Sequence, residues 1–317
     1  MKKLLVFTLA FAVCAIAAPV RVIFDTDMGN DIDDALALAM IHALETKGEA
    51  RLLAVTITKD NRWAAAYVSL VDGFYGRGGI PIGVVRNGKT PQDSPMIQVP
   101  AERKKPDGSY VYPRRLQSGA DAPEAVGLLR EILQKEKDHS VTIVQVGFST
   151  NLARLVESDR ELVARKVRQL VVMAGAFPEG KPEYNVKTDI DAARHVFKDW
   201  PTPIIASGYE VGLSILYPAK SIEHDFSYVP DHPIAEAYRA YKQMPYDRPT
   251  WDPTAALYAI RPDAGYFSLS PKGEITVDEE GRTHFREDPG GRHRYLKVND
   301  TQRGQVLKAM TELAPLH

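Results

Sequence analysis

Five carboxylates, Asp25, Asp27, Asp31, Asp33 and Asp34, stand between an apolar run and an alanine–leucine run, in the stretch Val22 to Met40. The residues before them, Pro19 to Phe24, are β-branched and apolar, which predicts a buried parallel strand. Those after them, from Ala35, have the composition of a helix packed on a sheet. A strand that runs through a short loop into a helix predicts an open α/β sheet, with the acids at a strand's carboxyl end. That edge is where ligands bind in such folds, and Gly29 allows the sharp turn. Five neighbouring carboxylates disfavour one another's ionisation unless a counter-charge is present. A bound cation is the simplest one. All-oxygen donors with no His or Cys nearby select a hard ion, Ca²⁺ before Mg²⁺ and both before zinc. The alternative, acids serving as helix caps, accounts for one or two of the five.

Asp25-Thr-Asp27, Gly29 and Asp33-Asp34-Ala-Leu36 resemble the amino-terminal signature of the nucleoside hydrolases, the inosine-uridine-preferring family, in a variant with a slightly longer loop. The resemblance implies an open, mostly parallel, Rossmann-like α/β sheet flanked by helices. It also implies one Ca²⁺ at the strand ends, holding a ribose diol and the attacking water.

The chain has 317 residues, 44% hydrophobic and 26% charged, ordinary values for a globular protein with one large α/β domain. A net charge of −1 gives no basic footprint, so a nucleic-acid polymer is excluded as the expected partner. Residues 1–18 show two lysines, an apolar run and small residues at the end, the layout of a secretory signal peptide, too short for a membrane span. The only cysteine, Cys14, lies inside it, so the mature chain would carry no thiol. The expectation is an exported protein, periplasmic or secreted, free of the membrane after cleavage. No repeat or linker interrupts residues 19–317, which are read as one domain.

Along the chain, Ala50 to Thr58 predicts a second strand, with Asn61 after it and a helix from Arg62 to Tyr75. By itself Asn61 reads as a helix cap; the resemblance makes it a ribose ligand, a role an amide suits because it both donates and accepts. Ile80 to Val85 predicts a third strand. The segment from Arg86 to Ala120 is irregular in pattern, read as a mobile lid or a solvated loop. A helix over Asp121 to Lys137 and a strand over Ser140 to Val146 lead to Gly147 and Thr150-Asn151-Leu152, which resemble the family's second signature. There the backbone carbonyl, here that of Val146, completes the calcium shell.

After the apolar strand Val167 to Ala174, Glu183-Tyr184-Asn185 and Asp189-Ile-Asp191-Ala-Ala193 resemble the family's Glu-Phe-Asn element and Asp-Pro-Glu-Ala-Ala helix start. The resemblance gives Glu183 and Asn185 the ribose 5′- and 3′-hydroxyls, Asp189 the helix start, and Met173 a place beneath the sugar. Core packing explains that methionine equally well. Two departures stand out: the loop from Phe177 to Pro182 lacks the family's additional Asn, and Ile190 replaces the usual Pro. A further strand is predicted over Pro203 to Ser207. Asp252-Pro253 resembles the third signature, whose Asp is the remaining calcium ligand. Before it stands Trp251 where His is common in the family; the purine-specific branch resembles this sequence there, with Trp and no His. The tail reads as hairpin strands from Ile275 to Val298 and a helix from Thr301 to Leu313.

The resemblance thus implies Ca²⁺-dependent hydrolysis of the N-glycosidic bond of a ribonucleoside, with Asp27, Asp34, Asp252 and the Val146 carbonyl as metal ligands. Asp27 would take a proton from the water, and Asp33, Asn61, Glu183 and Asn185 would grip hydroxyls. Trp251 would stack on the leaving base and favour purines, with Tyr110, Tyr112 or Tyr246 on its other face. A packed aromatic is the alternative for Trp251. Two other functions fit the same residues: an exported calcium- and ribose-binding protein without turnover, and a hydrolase of another N-riboside. Family members are commonly dimers or tetramers.

Overall fold

The computed structural model describes residues 18–178 and 180–317. The expected leader, residues 1–18, lies outside them apart from Ala18. The first half alternates strands and helices: β1 Val20–Thr26, α1 Asp33–Thr46, β2 Ala50–Lys59, α2 Ala64–Phe74, β3 Ile82–Lys89, α3 Pro95–Glu102, α4 Ala125–Lys135, β4 Val141–Gln145 and α5 Thr150–Lys166. It continues with β5 Val167–Met173, α6 Tyr184–Thr188, α7 Ile190–Asp199, β6 Ile204–Ser207, α8 Tyr209–Leu213, β7 Leu216–Tyr217, α9 Ala219–His224, α10 Pro233–Tyr241 and β8 Arg248–Pro249. Last come α11 Trp251–Ile260, β9 Ser268–Leu269, β10 Gly273–Val277, β11 Thr283–Glu287, β12 His293–Lys297 and α12 Asp300–Leu313.

The main sheet runs in the order β11-β10-β12-β6-β5-β4-β1-β2-β3, with β9 added to β12. All pairings from β3 across to β12 are parallel, so these strands lie between helix layers and read as apolar runs. Strand order reverses between β1 and β4, which makes the crevice at their carboxyl ends the place for a ligand. Phe24 pairs with Val55 on one side and Val144 on the other, so β1 is central. Helix α1 is buried from Asp33 to Leu44, and α11 from Asp252 to Ile260; the two pack against each other. Helices buried on every face carry apolar residues all round, as both sequences do. Their N-termini bring two positive dipole ends to the acid loop.

Two expectations need correction. The segment 86–120 is no irregular lid: β3 runs on to Lys89, α3 follows, and Met96, Ile97, Ala101, Tyr112 and Leu116 are buried. Helix α3 packs on α10 and α2, and its two prolines, Pro95 and Pro100, within eight residues keep it from reading as a helix in sequence. In the tail, β10 and β11 form the expected hairpin, but β12 pairs parallel to β6 and so belongs to the main sheet. Long-range pairing of that kind leaves no local signal.

Candidate functional site

The acid loop closes at Gly29, whose φ of +112° suits glycine, and where an added Cβ would stand 2.6 Å from Ile97 Cδ1. Its carboxylates are not helix caps: the N-cap of α1 is Ile32, with no side-chain cap. Each acid has its own partners. Asp25 is fully buried and accepts from Thr56 Oγ1 at 2.6 Å and Asn151 Nδ2 at 2.9 Å. Asp27 accepts from Asn30 Nδ2 at 2.8 Å, and Asp34 from Thr26 Oγ1. Asp33 takes Arg248 on Oδ1, at 2.9 and 3.2 Å, and the backbone N–H of Asp252 on Oδ2 at 3.2 Å. Asp31 forms an ion pair with Arg248 at 2.8 Å.

Arg248 is therefore a counter-charge supplied by the chain itself, which sequence reasoning missed because it lies 215 residues beyond Asp33. Burial works to lower its pKa, but the charges of Asp33 and Asp31 prevail and raise it, so it stays charged. Lys59, buried, donates to Asn30 Oδ1 at 3.0 Å and Thr90 O at 2.8 Å, and its charge favours an ionised Asp27.

The remaining acids form no ion pair with a lysine or arginine among the described residues. Burial pushes Asp27 up to about 6 and Asp25 up to about 7. Burial also raises Asp34 and Asp252, and the charges of their acidic neighbours raise them further. Asp34 Oδ2 is buried with no hydrogen-bond partner, and no donor among the described residues reaches the Asp252 carboxylate. An oxygen-only group with an orphaned, buried carboxylate oxygen fits a hard cation such as calcium. Oxygens of Asp31, Asp33 and Asp252 also lie within 4.8 Å of one another, but Arg248 already serves two of those three. The acids that Arg248 leaves without an ion pair are Asp25, Asp27, Asp34 and Asp252.

These acids border a cleft of about 650 Å³ at the β1/β4 switch point, lined by Asp27, Asp31 and Asp252 on one side and by Val146, Met173, Glu183 and Asn185 on another. Glu183 caps α6, accepting from the backbone N–H groups of Gly175, Asn185 and Val186 at 3.1, 2.9 and 3.2 Å. Burial outweighs those donors and lifts it to about 7. Asn185 Nδ2 donates to the Val146 carbonyl at 2.7 Å and to the Met173 carbonyl and Sδ at 3.1 and 3.2 Å. Asp189, outside the cleft, accepts from Thr150 Oγ1 at 2.5 Å and so ties α7 to α5.

An aromatic wall closes the cleft. Trp251 is half-buried and lines it, with its indole N–H donated to Tyr209 O at 2.9 Å and its ring stacked on Tyr209 at 5.6 Å. Gly212 makes room for it, since a Cβ there would stand 2.4 Å from Trp251 Cδ1. The other aromatic lining residues are Tyr184, Tyr209 and Tyr241, and Lys181 and Lys187 stand at the rim. None of these was given a role from the sequence, where Tyr184 stands only as the middle of the Glu183-Tyr184-Asn185 element and isolated tyrosines carry no periodic signal. The tyrosines that were singled out are placed elsewhere. Tyr112 is buried on the Glu236 carboxylate, Tyr246 stacks on Tyr238 at 5.8 Å, and Tyr110 lies under Arg114 at 3.9 Å. Neither Asn61 nor Asp33 lines the cleft. Asn61 accepts from Trp63 N at 2.8 Å and donates to Pro91 O, Gln92 O and Asp93 Oδ1, so its amide holds β2's end to the following loop.

Fold and site together define a doubly wound α/β protein with an acid-lined, aromatic-walled small-molecule cleft at its switch point. The chain belongs to the inosine-uridine preferring nucleoside hydrolase family, whose sequence model matches residues 22–312. It is 27% identical over 200 residues to an inosine-uridine preferring nucleoside hydrolase of Crithidia fasciculata, covering 59% of this chain and 60% of that one. It is 30% identical over 215 residues to a pyrimidine-specific ribonucleoside hydrolase of Shewanella sp. strain ANA-3, covering 60% and 59%. The matches thus span about three fifths of these curated relatives. Among solved structures, a plant nucleoside hydrolase superposes with a TM-score of 0.71 at 24% identity, over 93% of this chain and 99% of that one, and so shares the fold.

Proposed function

We propose that this protein is a Ca²⁺-dependent N-ribosyl hydrolase that cleaves ribonucleosides to ribose and free base, with purine nucleosides preferred. The observation that carries this reading is the convergence of Asp27, Asp252, Glu183 and Asn185, far apart in sequence, on one cleft walled by Trp251. Departure of the base gives the ribose oxocarbenium character, which the surrounding carboxylates stabilise. Asp27, on the cleft surface with one oxygen free of donors, accepts the proton of the attacking water. Glu183 and Asn185, fixed by backbone hydrogen bonds, hold the sugar in place. Asp27, Asp34, Asp252 and the Val146 carbonyl would hold the calcium, which when bound activates water and orients the diol.

The base preference rests on Trp251. Its indole face stabilises a purine whose ring nitrogen takes up a proton on leaving, whereas uracil and cytosine offer less to protonate. The two named relatives differ in their described base preference, so they do not decide it. The test is kcat/KM for inosine and uridine with wild type and Trp251→Ala. A wild-type preference for inosine, lost in Trp251→Ala, is expected. Equal turnover of both nucleosides by the wild type, or a Trp251→Ala enzyme unimpaired on inosine, rules out the stacking mechanism. Calcium-dependent ribose binding with no reducing sugar released would instead support the binding protein without turnover.

A further inference from the structure

A second cavity, of about 390 Å³, shares no lining residue with the acid-lined cleft and lies where β10 parts from β12. These two strands pair at Gly273 and His293 alone. Beyond that pair the backbone of β10 is served by side chains. Ile275 N–H donates to His293 Nδ1 at 2.9 Å, and the Val277 carbonyl accepts from Arg194 Nε at 3.2 Å. Helix α7 packs on β10, and the turn after β11 presses on the strand's start, since a Cβ on Gly291 would stand 2.3 Å from Gly273 O. His293 is 5% exposed and lines the cavity. Burial lowers its pKa to about 4, so the ring is neutral at pH 7. Because Nδ1 accepts, the hydrogen sits on Nε2, and no acceptor among the described residues takes it. A buried donor left in that condition is costly until a ligand accepts from it.

Three cations share the lining, Arg194, Lys198 and Arg292. Lys198 has no ion pair among the described residues, Arg292 gives one nitrogen to Pro201 O at 2.9 Å, and Arg194 meets only the exposed Asp191, at 3.5 Å. The one carboxylate of the lining, Glu274, is paired with Arg286 outside it. The cavity thus carries an excess of positive charge over a floor of buried Phe197, Ile275 and Val277. We propose that it binds a small organic anion, a carboxylate or a phosphate monoester, whose oxygens accept from His293 Nε2 and the surrounding cations while its apolar body rests on Phe197, Ile275 and Val277. Charge-assisted hydrogen bonds from such donors are the strong ones, and a cavity of this volume suits a small molecule. The site is independent of the N-riboside reading above.

The experiment is titration calorimetry of the full chain with benzoate, phenyl phosphate and, as an uncharged counterpart, benzyl alcohol, at low ionic strength. At least one of the two anions should bind at a single site, about tenfold or more tighter than the alcohol, and which of them binds tighter identifies the headgroup. His293→Asn keeps an acceptor for Ile275 N–H, because Asn Oδ1 stands where Nδ1 does, and removes the Nε2 donor. Its Kd for that anion should rise by about 10- to 100-fold. Lys198→Ala changes an exposed side chain and leaves the fold intact; it should weaken the anion and flatten the salt dependence of its binding. Trp251→Ala, in the other cleft, should bind the anion as the wild type does. Binding of neither anion overturns the proposal, and so does benzyl alcohol bound as tightly as both. An anion Kd unchanged in Lys198→Ala and His293→Asn overturns it as well. Loss of binding in Trp251→Ala with the Lys198→Ala value unchanged places the anion in the acid-lined cleft, which also overturns it. If His293→Asn lowers the melting temperature too far to be titrated, Lys198→Ala decides alone.

Discussion

Asp27 and Asp34 are seven residues apart, yet their surroundings differ. Asp27 faces the cleft with one oxygen open, and Asp34 hides an orphaned oxygen beneath it. Replacing Asp27 by Asn keeps the shape but removes the base, so kcat should fall by about 10²- to 10⁴-fold while the melting temperature holds. Near-normal kcat would remove Asp27 from that role. Asp34→Ala deletes the buried carboxylate, and the expected outcome is loss of bound calcium by elemental analysis. Retention of the full metal content would show that the cation sits elsewhere, with the Asp31, Asp33 and Asp252 group the next place to look.

Between elements, one close join is where β4 leaves the sheet beside β1. A Cβ on Gly147 would stand 2.4 Å from Thr58 Oγ1 and 2.5 Å from the backbone nitrogen of Asp27. Of the three nearest atoms two are backbone at the end of β1, the Asp27 nitrogen and the Thr26 carbonyl carbon at 2.8 Å, and these cannot give way cheaply. Gly147→Ala should therefore cost about 1–3 kcal/mol of stability, an overpacking penalty, and should also displace Asp27. Denaturant melts and kcat measured on the same sample check both, and a variant normal in stability and rate would show that the join is looser than this geometry. The second join is between α1 and α11, where Asp33 accepts the Asp252 N–H and so fixes the start of one helix to the first turn of the other.

At the scale of the whole molecule, the buried titratable groups link stability to pH, and the proposed calcium site would link it to that ion as well. Without a cation, burial raises Asp25, Asp27 and Glu183 to about 7, 6 and 7, above the values of an unfolded chain. For these acids the native state binds more protons than the unfolded state between pH 7 and about 4, so their contribution to stability grows as pH falls. Two buried histidines act in the opposite sense. Burial lowers His293 to about 4 and His232 to about 3; His293 Nδ1 accepts from Ile275 N at 2.9 Å. Their contribution is complete above pH 6.5 and is lost as pH falls from there through those values. The histidines cancel when calcium-loaded and stripped protein are compared at one pH. Calcium binds ionised carboxylates, and at a hundredfold excess over its Kd adds about 2.7 kcal/mol. The increment in Tm that calcium gives over a chelator should therefore shrink from pH 7.5 to pH 5.5. An increment independent of pH would mean that Asp27, Asp34 and Asp252 are not the acids that hold it.

The sequence by itself determined what is local. The apolar run of β1, the acids and Gly29 after it, and the Asp252-Pro253 helix start each carry their signal within a few residues, so strand end, turn and helix were legible there, and with them the sheet edge that gathers the acids. Tertiary structure alone decided what depends on chain segments meeting. Arg248 reaches Asp31 and Asp33 from 217 and 215 residues away, and its charge answers part of the demand that the acid cluster poses in sequence. Which tyrosines wall the cleft, that Asn61 turns toward the 91–93 loop, and that β12 joins β6 in parallel were likewise fixed by packing. The physical reason is the same in each case. Hydrogen bonds and ion pairs between distant segments form only after the core has placed their backbones, and a residue's neighbours along the chain do not record them.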